Sequence, residues 1–483
     1  VSETVRVRLE ALAARDREIG HEAENRFGAN AESASSSNGQ FPEIRPFGDF
    51  YGDFKLRFRD RVAVALRWRF GRWPFLGSLL KRRARLRVRF RRVGDFTVIC
   101  QRGCMLPADL SSLLEAAGGA DFVYGDSLHF DPVKPGCFSH ELRPGWSPER
   151  LLSHCYVGEV IAVRNACLGD AGGKRALAAL SPHDRALRLS DKALGPTHIG
   201  QLMYAKLGTP SSPPADPAAA ASALSRAGTE AECTAENGGS SVRVRRRITG
   251  TPRVAVIIPT RGTEAVINGA NRTLVVEAVR QMRERLTYGN LEFVVVVDAD
   301  TPAHVTARLL DIGGVSLKIV EHEGEFNFAR KINIGVVHAD AEYLLFANDD
   351  IEVESEDIVE TLLSHLVDED VSMVGPMLLF GDGSVQSAGH LLNPAPFDMY
   401  RGFPPDLAGG SGILSVAREV SSVIAAFALT RRRDFESVGG LCEKFPGDYN
   451  DVDYCLKLSL LGKRTVVTPH AKCIHFESKT RVA

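Results

Sequence analysis

Two adjacent carboxylates, Asp349 and Asp350, close the short apolar run Tyr343-Leu344-Leu345-Phe346-Ala347-Asn348. Like charges side by side repel, and burial raises the pKa of each. A hard divalent cation, Mg2+ or Mn2+, relieves both costs through oxygen ligands. A lone Asp-Asp pair reads more simply as an acidic turn after a strand, so its weight depends on its neighbours. Two further apolar runs end in polar groups. Val254-Ala255-Val256-Ile257-Ile258 stops at Pro259-Thr260-Arg261-Gly262, and Phe293-Val294-Val295-Val296-Val297 stops at Asp298. A carboxylate such as Asp298 can accept from a base N–H or a ribose hydroxyl, although a strand-end turn residue is an equally simple reading. Asp451 and Asp453 stand at the start of an apolar-striped helical pattern, where the helix dipole favours acids. The functional reading there is a general base. His475 follows, and beside a bound cation a histidine serves as a ligand.

These groups need elements to carry them. From residue 251 onward, strand-like β-branched runs alternate with helical patterns at 274–286 and 328–338. That alternation predicts an α/β fold with a mostly parallel sheet covered on both faces. Ligands of such sheets bind beyond the carboxyl ends of the strands. Thr260, Asp298, Asp349 and Asp350 all fall at those ends. No Walker A loop and no GxGxxG follows the first strand, which disfavours P-loop and dinucleotide-binding folds. A nucleotidyltransferase, which shares strand-end acids, would need a glycine-rich first loop, and Pro259-Thr260-Arg261-Gly262 does not supply one.

The 483 residues suit two or three domains, and 44% apolar with 25% charged residues is ordinary for a water-exposed globular chain. The net charge of −1 conceals a basic block: fifteen Lys/Arg against one acid, Asp60, between Lys55 and Arg92. Two of the three Trp, Trp68 and Trp73, lie in it. Cations interleaved with aromatics suit an anionic membrane surface, at about 1 kcal/mol per basic residue. Nucleic-acid binding competes and ranks lower. The nine cysteines have irregular spacing and no CxxC pair, which speaks against zinc and for reduced thiols. The sequence predicts neither a signal peptide nor an apolar run of transmembrane length. Composition divides the chain into a helix plus flexible linker (1–43), a basic aromatic segment (44–93), a globular region (94–208), a linker (209–250) and the α/β domain (251–483).

Seven stretches in order give residues 251–483 a more specific resemblance: Val256-Ile257-Ile258-Pro259-Thr260-Arg261, Phe326-Asn327-Phe328-Ala329-Arg330-Lys331-Ile332-Asn333, Asn348-Asp349-Asp350, Gly383-Ser384-Val385-Gln386-Ser387-Ala388-Gly389, Val438-Gly439-Gly440, Asn450-Asp451-Val452-Asp453 and His475-Phe476-Glu477-Ser478. The segment resembles glycosyltransferase family 2, the inverting GT-A class, in its bacterial O-antigen and rhamnosyltransferase-like branch. The resemblance implies a Rossmann-like sheet and a Mg2+ or Mn2+ cofactor. The implied donor is a nucleotide sugar, UDP- or dTDP-linked, and the implied acceptor is a glycan or lipid-linked hydroxyl. It places Pro259, Thr260, Arg261, Asp298, Lys331, Asn333 and Asp349 at the donor, Asp350 and His475 at the metal, and Asp451 as the base. Asp453 and Gly389 fall on the acceptor side. The chain departs from the family pattern at Val423-Ile424-Ala425-Ala426, where Thr-Gly is usual, and at Ser387, where His is common. The resemblance implies a cytoplasmic protein, peripheral on the inner membrane face through 44–93, with no nucleic-acid partner. Residues 94–208 resemble a partial first GT-A copy whose strand leads to Gln101-Arg102-Gly103-Cys104 instead of acids, a remnant with a structural or acceptor-related role. A non-catalytic GT-A-like scaffold in polysaccharide assembly is the alternative.

Overall fold

The computed structural model describes residues 5–19, 88–131, 137–208, 212–267, 269–393, 395–407 and 410–477. The linker at 20–43 and the basic segment up to residue 87 lie outside the described residues. The chain divides into two compact units, Gln40–Val244 and Arg245–Ala483, the latter joined by Val1–Gly39.

The first unit holds β1 (Val88–Val93), β2 (Phe96–Gln101), β3 (Phe122–Phe130), β4 (Phe138–Glu141), β5 (Val160–Arg164) and β6 (Thr197–Leu207) in one sheet of order β1-β2-β5-β3-β4, with β6 on β3. Residues 88–93, ahead of the expected boundary at 94, thus form a strand of this sheet. Val88 and Phe90 pack against the core while Arg89 between them stays outside, the alternation of a half-buried edge strand. The 209–250 stretch is also not a plain linker. Its alanine run forms the helix Pro217–Arg226, capped by the Asp216 side chain, and β7 (Ala231–Glu236) pairs with β8 (Ser241–Arg246). Ala220, Leu224, Val242 and Val244 bury one another, so good helix formers and alternating valines outweigh the Pro, Gly and Ser content.

In the second unit the sheet strands are β9 (Val254–Pro259), β12 (Leu291–Asp298), β13 (Leu317–His322), β14 (Tyr343–Ala347), β15 (Ile351–Val353), β16 (Val371–Leu379), β17 (Val385–Ser387), β20 (Arg418–Val420), β21 (Phe427–Arg431) and β22 (Arg464–His475). The order is β13-β12-β9-β14-β21-β16-β22-β15. Two small hairpins, β10 (Glu264–Ile267) with β11 (Ala270–Thr273) and β18 (His390–Leu392) with β19 (Pro396–Asp398), stand apart from it. The pairs β12–β13, β9–β12 and β9–β14 are parallel, so their polar carboxyl ends share one edge, as the strand runs predict. Successive β9 residues serve two cores. Val254, Val256 and Ile258 pack with Val275, Val279 and Met282 of the Leu274–Arg285 helix, whereas Ala255 and Ile257 pack with Ile332 and Val336 of the Phe328–His338 helix. Each such fully buried side chain is worth about 1.5–3 kcal/mol. The second core also receives Leu12 and Ile19 from the helix at 5–19.

The two sheets share a pairing pattern. In the second, β14–β21 and β21–β16 are antiparallel, β16–β22 is parallel with a register shift, and β16–β17 is antiparallel. In the first, β2–β5, β5–β3, β3–β6 and β3–β4 repeat that sequence, the parallel pair again with a shift. The ladders set Ala347 opposite Phe427 and Cys100 opposite Val160. The next residue matches too: Asn348 N–H donates to the Ala426 carbonyl (2.8 Å) and Gln101 N–H to the Glu159 carbonyl (3.2 Å). Arg102 and Gly103 therefore hold the places of Asp349 and Asp350. Antiparallel β1 lies beside β2 where parallel β9 lies beside β14.

Candidate functional site: a strand-edge acid cluster

Thr260 follows β9 with its N–H bonded to the Val296 carbonyl (2.9 Å), and its hydroxyl donates to Asp349 Oδ2 at 2.6 Å. The same Oγ1 accepts from Gly262 N–H, which fixes the turn. Pro259 completes the β9 ladder opposite Val296. Lys331 is fully buried, and its ammonium donates to the Thr260 carbonyl (2.7 Å) and pairs with Asp298 Oδ1 (2.6 Å). Burial pulls its pKa below the usual lysine value, and the Asp298 carboxylate opposes that pull. The parallel register sets His322 beside Asp298, with Nδ1 at 3.3 Å from Oδ1. Arg261 lies over the Phe326 ring at 4.3 Å. A cleft of about 430 Å³ opens among Arg261, Asp298, His322 and Phe326, large enough for part of a nucleotide. A second, of about 190 Å³, has Asp349 and Asp350 in its wall with Arg272, Arg280 and Arg285.

Asn333 belongs elsewhere. It is two residues from Lys331, about 200° around the helix, so the two cannot face one site. Its amide clamps Leu441, donating to the carbonyl (2.9 Å) and accepting from the N–H (3.0 Å).

Both acids of the pair are buried. Desolvation and then the Asp350 charge push the Asp349 carboxyl up to about 7, against the pull of Thr260 and Lys331. The antiparallel β15–β22 pair sets Ile351 opposite His475, bringing His475 Nε2 to 3.2 Å from Asp350 Oδ1. Nδ1 of His475 lies 2.9 Å from Gln386 Oε1. Nε2 also lies 3.2 Å from Asn348 Nδ2, so the ring stands between the Asn348 amide and the Asp350 carboxylate. Asn348 Oδ1 close by is buried without a partner. This donor set fits a hard divalent cation, with Gln386 orienting the histidine as outer-shell groups do.

Asp451 opens the Asn450–Leu460 helix, whose preceding residue, Tyr449, holds φ 66° and offers no side-chain cap. Its Oδ2 accepts from Ala425 N–H (3.1 Å) and its Oδ1 from Val452 N–H (2.8 Å). Burial pushes its pKa up, and His390 is the largest influence pulling it back. The adjacent Ala426 carbonyl holds Asn348, so two consecutive residues tie Asp451 to the start of the acid pair. Asp453 is two residues along and pairs with Lys457, which also bonds Asp16 of the N-terminal helix. It is bound up in helix docking and is not brought to the acid pair. Gly389 (φ +85°) turns the chain closely past Val420, where a Cβ would approach Cγ1 to 2.6 Å, and delivers His390. Sequence reasoning missed His322, Gln386 as a ligand-orienting group, and His390. His390 directly follows the quoted Gly383–Gly389 stretch, so proximity to that stretch was the available signal.

Residues 255–439 match the family model Glycosyl transferase family 2. O-antigen biosynthesis protein RfbC of Myxococcus xanthus is 31% identical over 357 residues, 71% of this chain and 27% of that protein. The uncharacterized protein y4gI of Sinorhizobium fredii is 27% identical over 389 residues, 76% of this chain and 42% of that protein. The chain thus spans well under half the length of these relatives. Among solved structures, mannosyltransferase PcManGT from Pyrobaculum calidifontis, in complex with GDP-Man and Mn2+, is 18% identical with a TM-score of 0.34, covering 47% of this chain and 57% of that one. GalNAc-T7 with UDP, GalNAc and Mn2+ is 11% identical with a TM-score of 0.37, covering 51% and 47%. Residues 255–439 are thus identified as a glycosyltransferase family 2 domain.

Proposed function

We propose that residues 251–483 transfer a sugar, with inversion, from a UDP- or dTDP-sugar to a hydroxyl of a glycan or lipid-linked acceptor in surface polysaccharide synthesis. The observation that carries this reading is the Ala425-Ala426 junction. It ties a buried carboxylate, Asp451, to Asn348, the residue that leads into the acid pair. Asp298, Lys331 and Arg261 bind the nucleoside end. Asp350 and His475, with Asp349, would hold Mg2+ or Mn2+, which supplies positive charge for the leaving diphosphate. Asp451 takes the proton of the attacking hydroxyl. The relative named for O-antigen biosynthesis supports the polysaccharide setting.

Residues 88–208 are non-catalytic in this reading, a partial copy whose Arg102-Gly103 replaces the acids and in which antiparallel β1 stands beside β2 where the second unit has parallel β9. Among the described residues no helix is long and apolar enough to cross a membrane. In this reading the basic aromatic segment, up to residue 87 where strand β1 begins, attaches the chain to the inner membrane surface.

Donor turnover with Mn2+, followed by release of UDP or dTDP across a panel of nucleotide sugars, tests the proposal. The wild type turns over at least one donor. Asp451→Asn and Asp350→Asn fall by about 100-fold or more. Equal rates in all three refute the assignment, and donor binding without turnover in the wild type favours the scaffold alternative.

A further inference from the structure

The N-terminal helix at 5–19 packs on the transferase unit, and one residue of its inner face is out of type. Val5, Leu9, Leu12 and Ile19 recur at helical spacing and join the second core. Asp16 lies four residues after Leu12 and three before Ile19, so it falls on the same stripe. It meets a second charge on a buried face. Lys457 is buried with Tyr454 and Leu458 on the Asn450–Leu460 helix. Its ammonium donates to Asp16 Oδ1 and pairs with Asp453 Oδ2 at 2.7 Å. Burial pulls the Lys457 pKa down, and Asp453 and Asp16 more than reverse that pull. Two contacts with the backbone of 437–439 seat the N-terminal helix beside the same element. Arg15 Nε donates to the Ser437 carbonyl (2.9 Å). Gly439 admits the helix so closely that a Cβ there would stand 2.5 Å from the Leu12 carbonyl oxygen. A buried ion pair adds little adhesion, because desolvating both charges offsets most of their attraction, and apolar residues of similar size dock a helix at least as well. What one charged pair on an apolar stripe supplies is register. The helix held in register here carries Asp451 in its first turn.

We propose that Asp16, acting through Lys457, is a positioning residue of the transferase: it fixes the placement of the helix that presents Asp451. The proposal rests on the transferase reading. Asp451, Asp453 and Lys457 share one helix of 11 residues, so a slip at Lys457 is carried to the helix N-terminus. There Asp451 accepts from Val452 N–H (2.8 Å), which moves with the helix, and from Ala425 N–H (3.1 Å), which does not. A helix out of register therefore draws the carboxylate away from Ala425 and from the hydroxyl it must deprotonate. A misplacement of about 1 Å costs on the order of 100-fold in rate. The donor groups have supports of their own, since Lys331 is held by the Thr260 carbonyl and by Asp298. Loss of register is thus read in kcat and leaves donor affinity in place.

Asp16→Leu in the full chain tests this. The substitution continues the apolar stripe, and Lys457 keeps Asp453 as its partner. The urea midpoint stays at or above that of the wild type. At saturating donor and Mn2+ kcat falls about 10-fold or more, while the affinity for UDP or dTDP by calorimetry stays within about two-fold. Hydrogen exchange over 450–460 quickens in the variant, a reading that needs no turnover. Wild-type kcat in Asp16→Leu overturns the proposal, as does unchanged exchange over 450–460. A loss of kcat matched by an equal loss of donor affinity marks a purely structural role and overturns it too. Asp16→Asn, which removes the charge and keeps the shape, is read by the same kcat, affinity and exchange criteria if Asp16→Leu does not fold. A wild type that cleaves no donor refutes the transferase reading, whereas an active wild type whose Asp16 variants keep full kcat refutes the positioning role alone.

Discussion

The acid pair should cost stability until a cation fills the site, and Asp349→Asn measures the cost. Asp349 is 6% exposed, and its carboxyl sits at about 7 against an ordinary 3.8, mainly through burial and then through Asp350. The folded chain therefore holds a proton that the unfolded chain releases between those two values. Stability falls with rising pH wherever the folded state binds more protons, so the loss accrues between about pH 4 and pH 7 and is flat above. At about 1.4 kcal/mol per pH unit, the full interval amounts to on the order of 4 kcal/mol. An asparagine keeps a carbonyl oxygen for the Thr260 hydroxyl, which lies 2.6 Å away, and cannot ionise.

Thermal unfolding in EDTA from pH 5 to 8.5, wild type beside Asp349→Asn, reads this directly. At pH 8 the variant is the more stable, by about 10 °C if the whole penalty appears in a domain of this size. The advantage shrinks by more than half on going to pH 5, where the wild-type acid is protonated. Mn2+ at pH 8 raises the wild type more than the variant. A gap that is the same at pH 5 and pH 8, or a variant less stable at pH 8, refutes the buried, mutually repelling pair.

Lys331→Met should be severe, because it strands Asp298: about 3–5 kcal/mol in urea unfolding, with UDP binding by calorimetry lost at the same time. Ile19→Ala should cost about 2–5 kcal/mol in the same unfolding assay, since Ile19 is a buried part of the second core. Gly439→Ala places a methyl group against the backbone of Leu12 and Asp16 at a φ of +77°, so the N-terminal helix should undock and become the first site of limited proteolysis. Unchanged proteolysis would show that the helix is held without that close approach.

The strand-end logic was legible because it needs only local runs and the rule that parallel strands share a carboxyl edge. Thr260, Asp298 and Asp349 came from it, and the contact between the first and last of them was then nearly forced. His322 was not legible, because its place beside Asp298 depends on the β12–β13 register, and sequence does not state pairing. Asn333 was assigned to the donor by its motif, although helical spacing from Lys331 already placed it on another face. Asp453 shows how a first-turn acid can serve packing: Lys457 one turn later neutralises it, and Asp16 joins the same ammonium from over 400 residues away. That contact lies beyond any local pattern. The 209–250 stretch misled because Pro, Gly and Ser were weighed by composition, while the helix start depended on one aspartate before a proline, Asp216-Pro217.

The departure at Val423–Ala426 looks different once the contacts are known. The family pattern places Thr-Gly there, which suggests a lost acceptor function. The structure uses backbone at the two decisive points: Ala425 offers its N–H to Asp451, and Ala426 offers its carbonyl to Asn348. Alanine supplies both groups as well as any residue. Val423 is buried and fills the space over Gly375, where even a Cβ would approach its side chain to 2.8 Å, so this loop is seated by packing. A loop seated by apolar contact and reading out through its main chain can change its side chains and still hold Asp451 in place relative to the acid pair. What the chain cannot change freely is Ser422, just before this run, whose hydroxyl lies 2.8 Å from Nδ1 of His390.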